Sequence, residues 1–171
     1  GLRAAARLIQ EGGADAVKVE GPKVEFIEQA AANGIPVMGH LGLLPQSVNQ
    51  LGGLRVQART DEEAQRLIED ARRLEKAGIF ALVLECIPRE LAREVTAAVG
   101  IPTIGIGAGP DCDGQVLIFH DMLGINERTP KHAKRYANLA EIISEAVAAY
   151  ARNVVAGAFP TDDHSFHRPA K

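Results

Sequence analysis

Three short apolar stretches of this chain end in groups that can handle charge and protons. Ala16-Val17-Lys18-Val19-Glu20 closes on a lysine and a glutamate two residues apart. In an extended segment residues i and i+2 share a face, so the two valines point one way and the two charges the other. An ammonium beside a carboxylate at the mouth of a buried strand suits an anionic substrate held next to a divalent cation, with Lys18 binding substrate and Glu20 ligating metal. The same pair also reads as a solvated ion pair at a strand end, and the pattern alone leaves both readings open. Ala81-Leu82-Val83-Leu84-Glu85 ends in a lone acid. A carboxylate closing so apolar a strand suits a general base, or else a strand-end cap facing water. Ile35-Pro36-Val37-Met38-Gly39-His40 ends in a histidine, which can orient a substrate oxygen, shuttle a proton, or simply fill a structural position. Together they carry more weight, because several strand ends converging on one mouth is how α/β barrels build active sites.

Two other motifs carry less. Gly105-Ile106-Gly107-Ala108-Gly109 lacks the third glycine of a dinucleotide fingerprint at the right spacing, and no helix opens directly after it. It reads as a place where backbone approaches a ligand or a neighbouring strand. Asp111-Cys112-Asp113-Gly114 begins like a calcium loop, but its glycine comes too early and Met122 stands where the bidentate glutamate belongs. A turn is the better reading.

The elements that must position these residues repeat as helix, glycine turn and short β-branched strand. Helices are predicted over residues 2–11, 24–32, 61–77, 89–99 and 131–155, and strands over 14–20, 35–40, 80–85, 101–106 and 116–120. Helix 61–77 has the clearest signals: Thr60 or Asp61 to cap it, acids in its first turn and Gly78 to end it. Pro88 suits a helix start. Strands alternating with helices imply βαβ units and a parallel sheet, either doubly wound or barrel-closed. The connection over residues 41–59, containing Gly42, Pro45, Gly52, Gly53, Arg55 and Arg59, is long for such a unit and is expected to be a lid or binding loop. The amphipathic start reads as a helix entered partway, so an incomplete N-terminus is expected.

Composition narrows the class. The 171 residues are 46% hydrophobic, enough for one domain with a true core, and the whole chain reads as a single domain. A net charge of −3 and no basic block argue against nucleic-acid and membrane-surface partners. No apolar run approaches the ~20 residues that span a bilayer. Cys86 and Cys112 lie far apart without metal spacing, which favours a reducing, cytoplasmic compartment.

Several stretches resemble the ketopantoate hydroxymethyltransferase family. They are Gly13-Ala14-Asp15-Ala16-Val17-Lys18-Val19-Glu20-Gly21, Ile35 to Leu43, Pro45-Gln46-Ser47-Val48-Asn49, Leu84-Glu85-Cys86-Ile87-Pro88, Ile101 to Gly109 and Asp113-Gly114-Gln115-Val116-Leu117. Ala158-Phe159-Pro160 followed by His164-Ser165-Phe166 is similar to the family's ending. The resemblance implies a (β/α)8 TIM barrel of the phosphoenolpyruvate mutase/isocitrate lyase superfamily, of which this chain supplies about the last five βα units. It implies hydroxymethyl transfer from 5,10-methylenetetrahydrofolate to 3-methyl-2-oxobutanoate, giving 2-dehydropantoate on the route to pantothenate, with Mg2+ as cofactor and a homodecamer as the assembly. By motif, Lys18 resembles the substrate-binding lysine, Glu20 a metal ligand and Glu85 the proton acceptor. His40 joins the substrate-binding candidates by its place in the pattern. The family's Asp-Ser pair and further Asp from earlier strands have no counterpart here. Pro22, Leu54, Arg55 and Ala58 depart from the usual residues, which puts loop geometry in doubt. Two alternatives stand beside this reading: a related 2-oxo-acid lyase or mutase, and an inactive barrel fragment.

Overall fold

The structure is a computed structural model that describes residues 1–47 and 55–168. The chain divides into two compact units, Gly1–Val116 and Leu117–Lys171.

The first unit alternates helix and strand: α1 (Leu2–Gln10), β1 (Val17–Glu20), α2 (Val24–Ala32), β2 (Val37–Gly42), a 3-10 turn (Pro45–Ser47), α3 (Asp61–Ala77), β3 (Ala81–Glu85), α4 (Arg89–Ala98), β4 (Thr103–Ile106) and β5 (Gly114–Gln115). The sheet order is β1-β2-β3-β4-β5, every neighbouring pair parallel. The expected α/β class with a parallel sheet is therefore present. β2 and β4 begin later than the apolar pattern suggested because Pro36 and Pro102 have no N–H for the ladder. Their carbonyls instead accept from Val17 and Leu82, at 3.0 and 2.9 Å.

Local chemistry explains the elements. Thr60 and Glu63 form a reciprocal capping box at the start of α3, with three acids in its first turn. The α3 stripe Leu67, Ile68, Ala71, Leu74 and Ala77 is buried and belongs to one core with Val37, Leu41, Leu82, Leu84, Leu91 and Val95. Burying a side chain such as Leu74 or Leu82, both wholly enclosed, contributes roughly 1.5–3 kcal/mol each. A Cβ on Gly39 would meet Ile79, Leu82 and Leu74, so that residue looks toward the helices. Alternation then turns Lys18, Glu20, His40 and Glu85 to the opposite face.

Two expectations need correcting. The strand over 116–120 is absent. The ladder to β4 is made by Gly114 and Gln115, with Val116 N donating to Gly105 O at 3.0 Å. Phe119–Met122 is instead a short helix, α5, in the second unit. Four apolar residues in a row fit either state, and the buried Asp121 side chain, held by Asn126 Nδ2 at 2.7 Å, accompanies the helical turn.

The helix over 131–155 starts only at Leu139, giving α6 (Leu139–Val155). Upstream the backbone donors go elsewhere: Tyr136 N to Met122 O at 2.8 Å and Leu139 N to Leu123 O at 3.0 Å. Arg135 ties to the carbonyls of Asn126 and Glu127, fixing a loop instead of a helical turn. α6 buries none of its residues, and Ile142, Val147 and Tyr150 are exposed. Among the described residues no helix is long and apolar enough to cross a membrane.

Candidate active site

The site lies where β1, β2 and β3 end. Glu20 stands opposite His40 in the β1–β2 register, and Gly42 opposite Glu85 in the β2–β3 register. Each strand end is stitched to the next: Gly21 N donates to His40 O at 2.9 Å, Leu43 N to Glu85 O at 2.8 Å and Cys86 N to Ile106 O at 2.9 Å. The side chains at these ends are therefore held on a rigid frame.

All four candidate residues come together, around His40. That ring is 2% exposed. Its Nδ1 lies 3.2 Å from Lys18 Nζ and 3.9 Å from Glu20 Oε1. Lys18 Nζ is 3.7 Å from Glu20 Oε1. An ammonium can only donate, so in a neutral imidazole Nδ1 accepts and the ring proton is assigned to Nε2. Nε2 stands 3.2 Å from Glu85 Oε2, yet the two make no hydrogen bond, and Nε2 is a buried atom without a hydrogen-bond partner among the described residues. A buried N–H left in this way is ready to donate to a bound oxygen. Lys18 is 45% exposed, whereas Glu20 and Glu85 are 17% and 16% exposed, so the lysine faces incoming solute and the acids sit deeper.

The chain beyond Glu85 is bent. Cys86 takes a left-handed φ of +48°, an uncommon conformation for a residue with a side chain. Burial first, and the neighbouring Glu85 charge second, push its thiol pKa up, which keeps it in the neutral form. The connection after β2 is tied at both ends to this frame. Gln46 N donates to Glu20 Oε2 at 3.1 Å, and Gln57 N to Cys86 O at 2.8 Å. The Val48, Asn49, Gly52, Gly53 and Leu54 positions of the expected lid or binding loop lie outside the described residues.

The secondary motifs resolve into structural parts. A Cβ on Gly109 would stand 2.6 Å from Arg89 Cγ, so the glycine-rich segment lets backbone pass the start of α4. Asp111 pairs with Arg89 at 2.9 Å, while Asp113 turns to Thr103, accepting from its N at 2.8 Å and its Oγ1 at 3.0 Å. Those hydrogen bonds hold the Asp113 carboxyl below the usual carboxylate range. The two acids thus serve different partners, and the run works as a turn. It braces the start of β4, the end of the sheet away from the cluster.

The Lys18–His40 contact and the Gln46 link to Glu20 were not foreseen. The first depends on register; the second joins residues 26 apart through a main-chain donor, which no side-chain motif signals.

Glu20 offers a hard oxygen at the right strand end, but among the described residues no three of His, Cys, Asp and Glu gather at metal-binding distances. Glu20 fits as one ligand and does not make a cage by itself.

The family described as "Ketopantoate hydroxymethyltransferase" matches residues 1–162. Relatives named 3-methyl-2-oxobutanoate hydroxymethyltransferase are 58% identical in Moorella thermoacetica (95% of this chain, 61% of the relative) and 53% identical in Thermobifida fusca (96% and 60%). One from Anaeromyxobacter dehalogenans is 54% identical over 97% of this chain and 55% of its own length. The chain thus spans about three fifths of the length of these curated relatives. A solved structure, the Amycolatopsis orientalis BexX/CysO complex, is similar in fold, with a TM-score of 0.50 and 16% identity over 99% of this chain and 66% of that one.

Proposed function

This chain belongs to the ketopantoate hydroxymethyltransferase family, and from that premise we propose that it carries part of the active site for hydroxymethyl transfer from 5,10-methylenetetrahydrofolate to 3-methyl-2-oxobutanoate. The product is 2-dehydropantoate, and the pathway is pantothenate biosynthesis. The observation that carries the reading is the convergence of Lys18, Glu20, His40 and Glu85 from three adjacent strand ends, with a buried His40 Nε2 that lies 3.2 Å from Glu85 Oε2 and has no hydrogen-bond partner among the described residues.

Each group has a task. The C3 proton of the keto acid is acidified by the neighbouring ketone. Glu85 takes that proton, and the electron pair of the C–H bond moves into the enolate. Charge develops on the keto oxygen, where the His40 Nε2–H supplies a fixed donor, while the Lys18 ammonium, on the other side of the imidazole, supplies positive charge at the substrate's carboxylate end. The enolate carbon attacks the methylene carbon of the folate as one of its two C–N bonds breaks; water then displaces the second C–N bond, leaving its oxygen as the hydroxyl, and the two freed nitrogens of tetrahydrofolate take up the proton from Glu85 and one from water.

Glu20 is proposed as one ligand of a bound Mg2+, completed by groups the described residues do not provide. When bound, the ion supplies Lewis-acid stabilisation of the enolate oxygens.

The same premise supports the finer architecture. We propose that the five parallel strands are an arc of a (β/α)8 barrel of the phosphoenolpyruvate mutase/isocitrate lyase superfamily, and that both units belong to one domain over residues 1–171. A cytoplasmic homodecamer is proposed on the same resemblance. An assembly of copies would give the exposed apolar side chains of α6 a surface to cover. The deciding assay is folate-dependent consumption of 3-methyl-2-oxobutanoate by the full-length protein, lost in Glu85→Gln. Cleavage of the keto acid without folate would point to lyase chemistry instead.

A further inference from the structure

We infer that Gly42 is a positioning residue for Glu85: the missing side chain lets β2 close onto the Glu85 main chain and fixes where the carboxylate reaches. The inference rests on the reading of Glu85 as the proton acceptor.

Gly42 faces Glu85 in the β2–β3 register and has φ +92°. A Cβ there would stand 2.2 Å from Glu85 O and 2.8 Å from Ile87 Cγ2. The first of these is a main-chain atom, which has no rotamer by which to step aside. The same approach lets Leu43 N donate to Glu85 O at 2.8 Å. On the far side of Glu85 the chain is held again, with Cys86 N on Ile106 O at 2.9 Å and Gln57 N on Cys86 O at 2.8 Å. Gly42 also lies two residues after His40 on one strand, and His40 Nε2 is 3.2 Å from Glu85 Oε2. The residue at 42 therefore sets the spacing between the strand that carries the donor and the strand that carries the base. An alanine would either push β2 and β3 apart or rotate the Glu85 peptide, and both movements carry the carboxylate with them.

Other glycines separate this effect from backbone strain. Gly34 has φ +73°, and a Cβ on it would meet nothing within 4 Å. Gly34→Ala incurs the conformational cost without touching the site.

The experiment uses the full-length protein and reads kcat, KM for the keto acid, melting temperature and folate-independent deuterium exchange at substrate C3. Gly42→Ala is expected to lower kcat and exchange by about 10²-fold with KM changed less than about threefold. Gly34→Ala is expected to lose melting temperature while keeping kcat within about twofold. Wild-type exchange in a folded Gly42→Ala variant overturns the inference. Should that variant not fold, an amide-to-ester replacement at Leu43 removes only the donor to Glu85 O, and exchange is expected to fall by about tenfold. Unchanged exchange in the ester variant overturns the inference equally. Glu85→Gln is measured alongside. Retained exchange there removes the premise, and the inference goes with it. Lost exchange there with normal exchange in Gly42→Ala refutes the role of Gly42 alone.

Discussion

Nζ of Lys18 stands 3.2 Å from Nδ1 of His40, so a group with no acceptor capacity faces one of the two ring nitrogens and sends the imidazole proton to the other. Lys18 thereby selects the tautomer of its neighbour, and the donor is aimed along the face that Glu85 occupies.

Replacing Lys18 by methionine should undo both effects. We expect kcat/KM for 3-methyl-2-oxobutanoate to fall by about 10²–10³-fold through loss of positive charge at the substrate's carboxylate end. Nitrogen-15 NMR of His40 should show proton density moving from Nε2 toward Nδ1. An unchanged Nε2–H spectrum would mean that something else sets the tautomer.

Metal dependence tests Glu20. Glu20→Ala should weaken Mg2+-dependent binding of the keto acid, measured by titration calorimetry on the full-length protein. It should also free Gln46 N, whose 3.1 Å hydrogen bond to Glu20 Oε2 is lost. Equal Mg2+ dependence in wild type and variant would contradict the ligand assignment.

Acid stability follows from Asp113. Hydrogen bonds from Thr103 lower its folded pKa below the unfolded value of about 3.9. Such a group stabilises the fold above its unfolded pKa, and that contribution disappears as pH falls through the folded pKa. Urea midpoints of wild type and Asp113→Asn should therefore differ most near neutrality and converge below about pH 4. A constant difference from pH 7 to pH 3 would show that the Asp113 charge plays no part.

Much of the fold was legible because the punctuation is local. Gly78 and Pro88 mark where helices stop and start, and Thr60 with Glu63 marks where α3 begins. Lys18, Glu20, His40 and Glu85 were visible for a similar reason: each interrupts an apolar strand within its last three residues. What joins them was not visible. Glu20 meets His40 through strand register, which no single segment encodes. Gly42 looks like an ordinary turn glycine until the carbonyl of Glu85 is placed against it. The run from Val116 to Phe119 is too short for its period to separate strand from helix. The stretch before Leu139 looks helical by composition, but tertiary partners at Met122 and Leu123 take its backbone donors.

The cap of α3 offers a check on the scaffold alone. Thr60→Ala removes the side-chain acceptor of Glu63 N and should cost about 1 kcal/mol in urea unfolding, with kcat unchanged. A loss of kcat at constant stability would tie the connection after β2 to catalysis more closely than its end contacts imply.

The central claim is that Glu85 takes the C3 proton, and deuterium exchange at C3 of 3-methyl-2-oxobutanoate in the full-length protein tests it most directly. Glu85→Gln is expected to abolish exchange while keto-acid binding stays near that of the wild type. Exchange at the wild-type rate in that variant would contradict it.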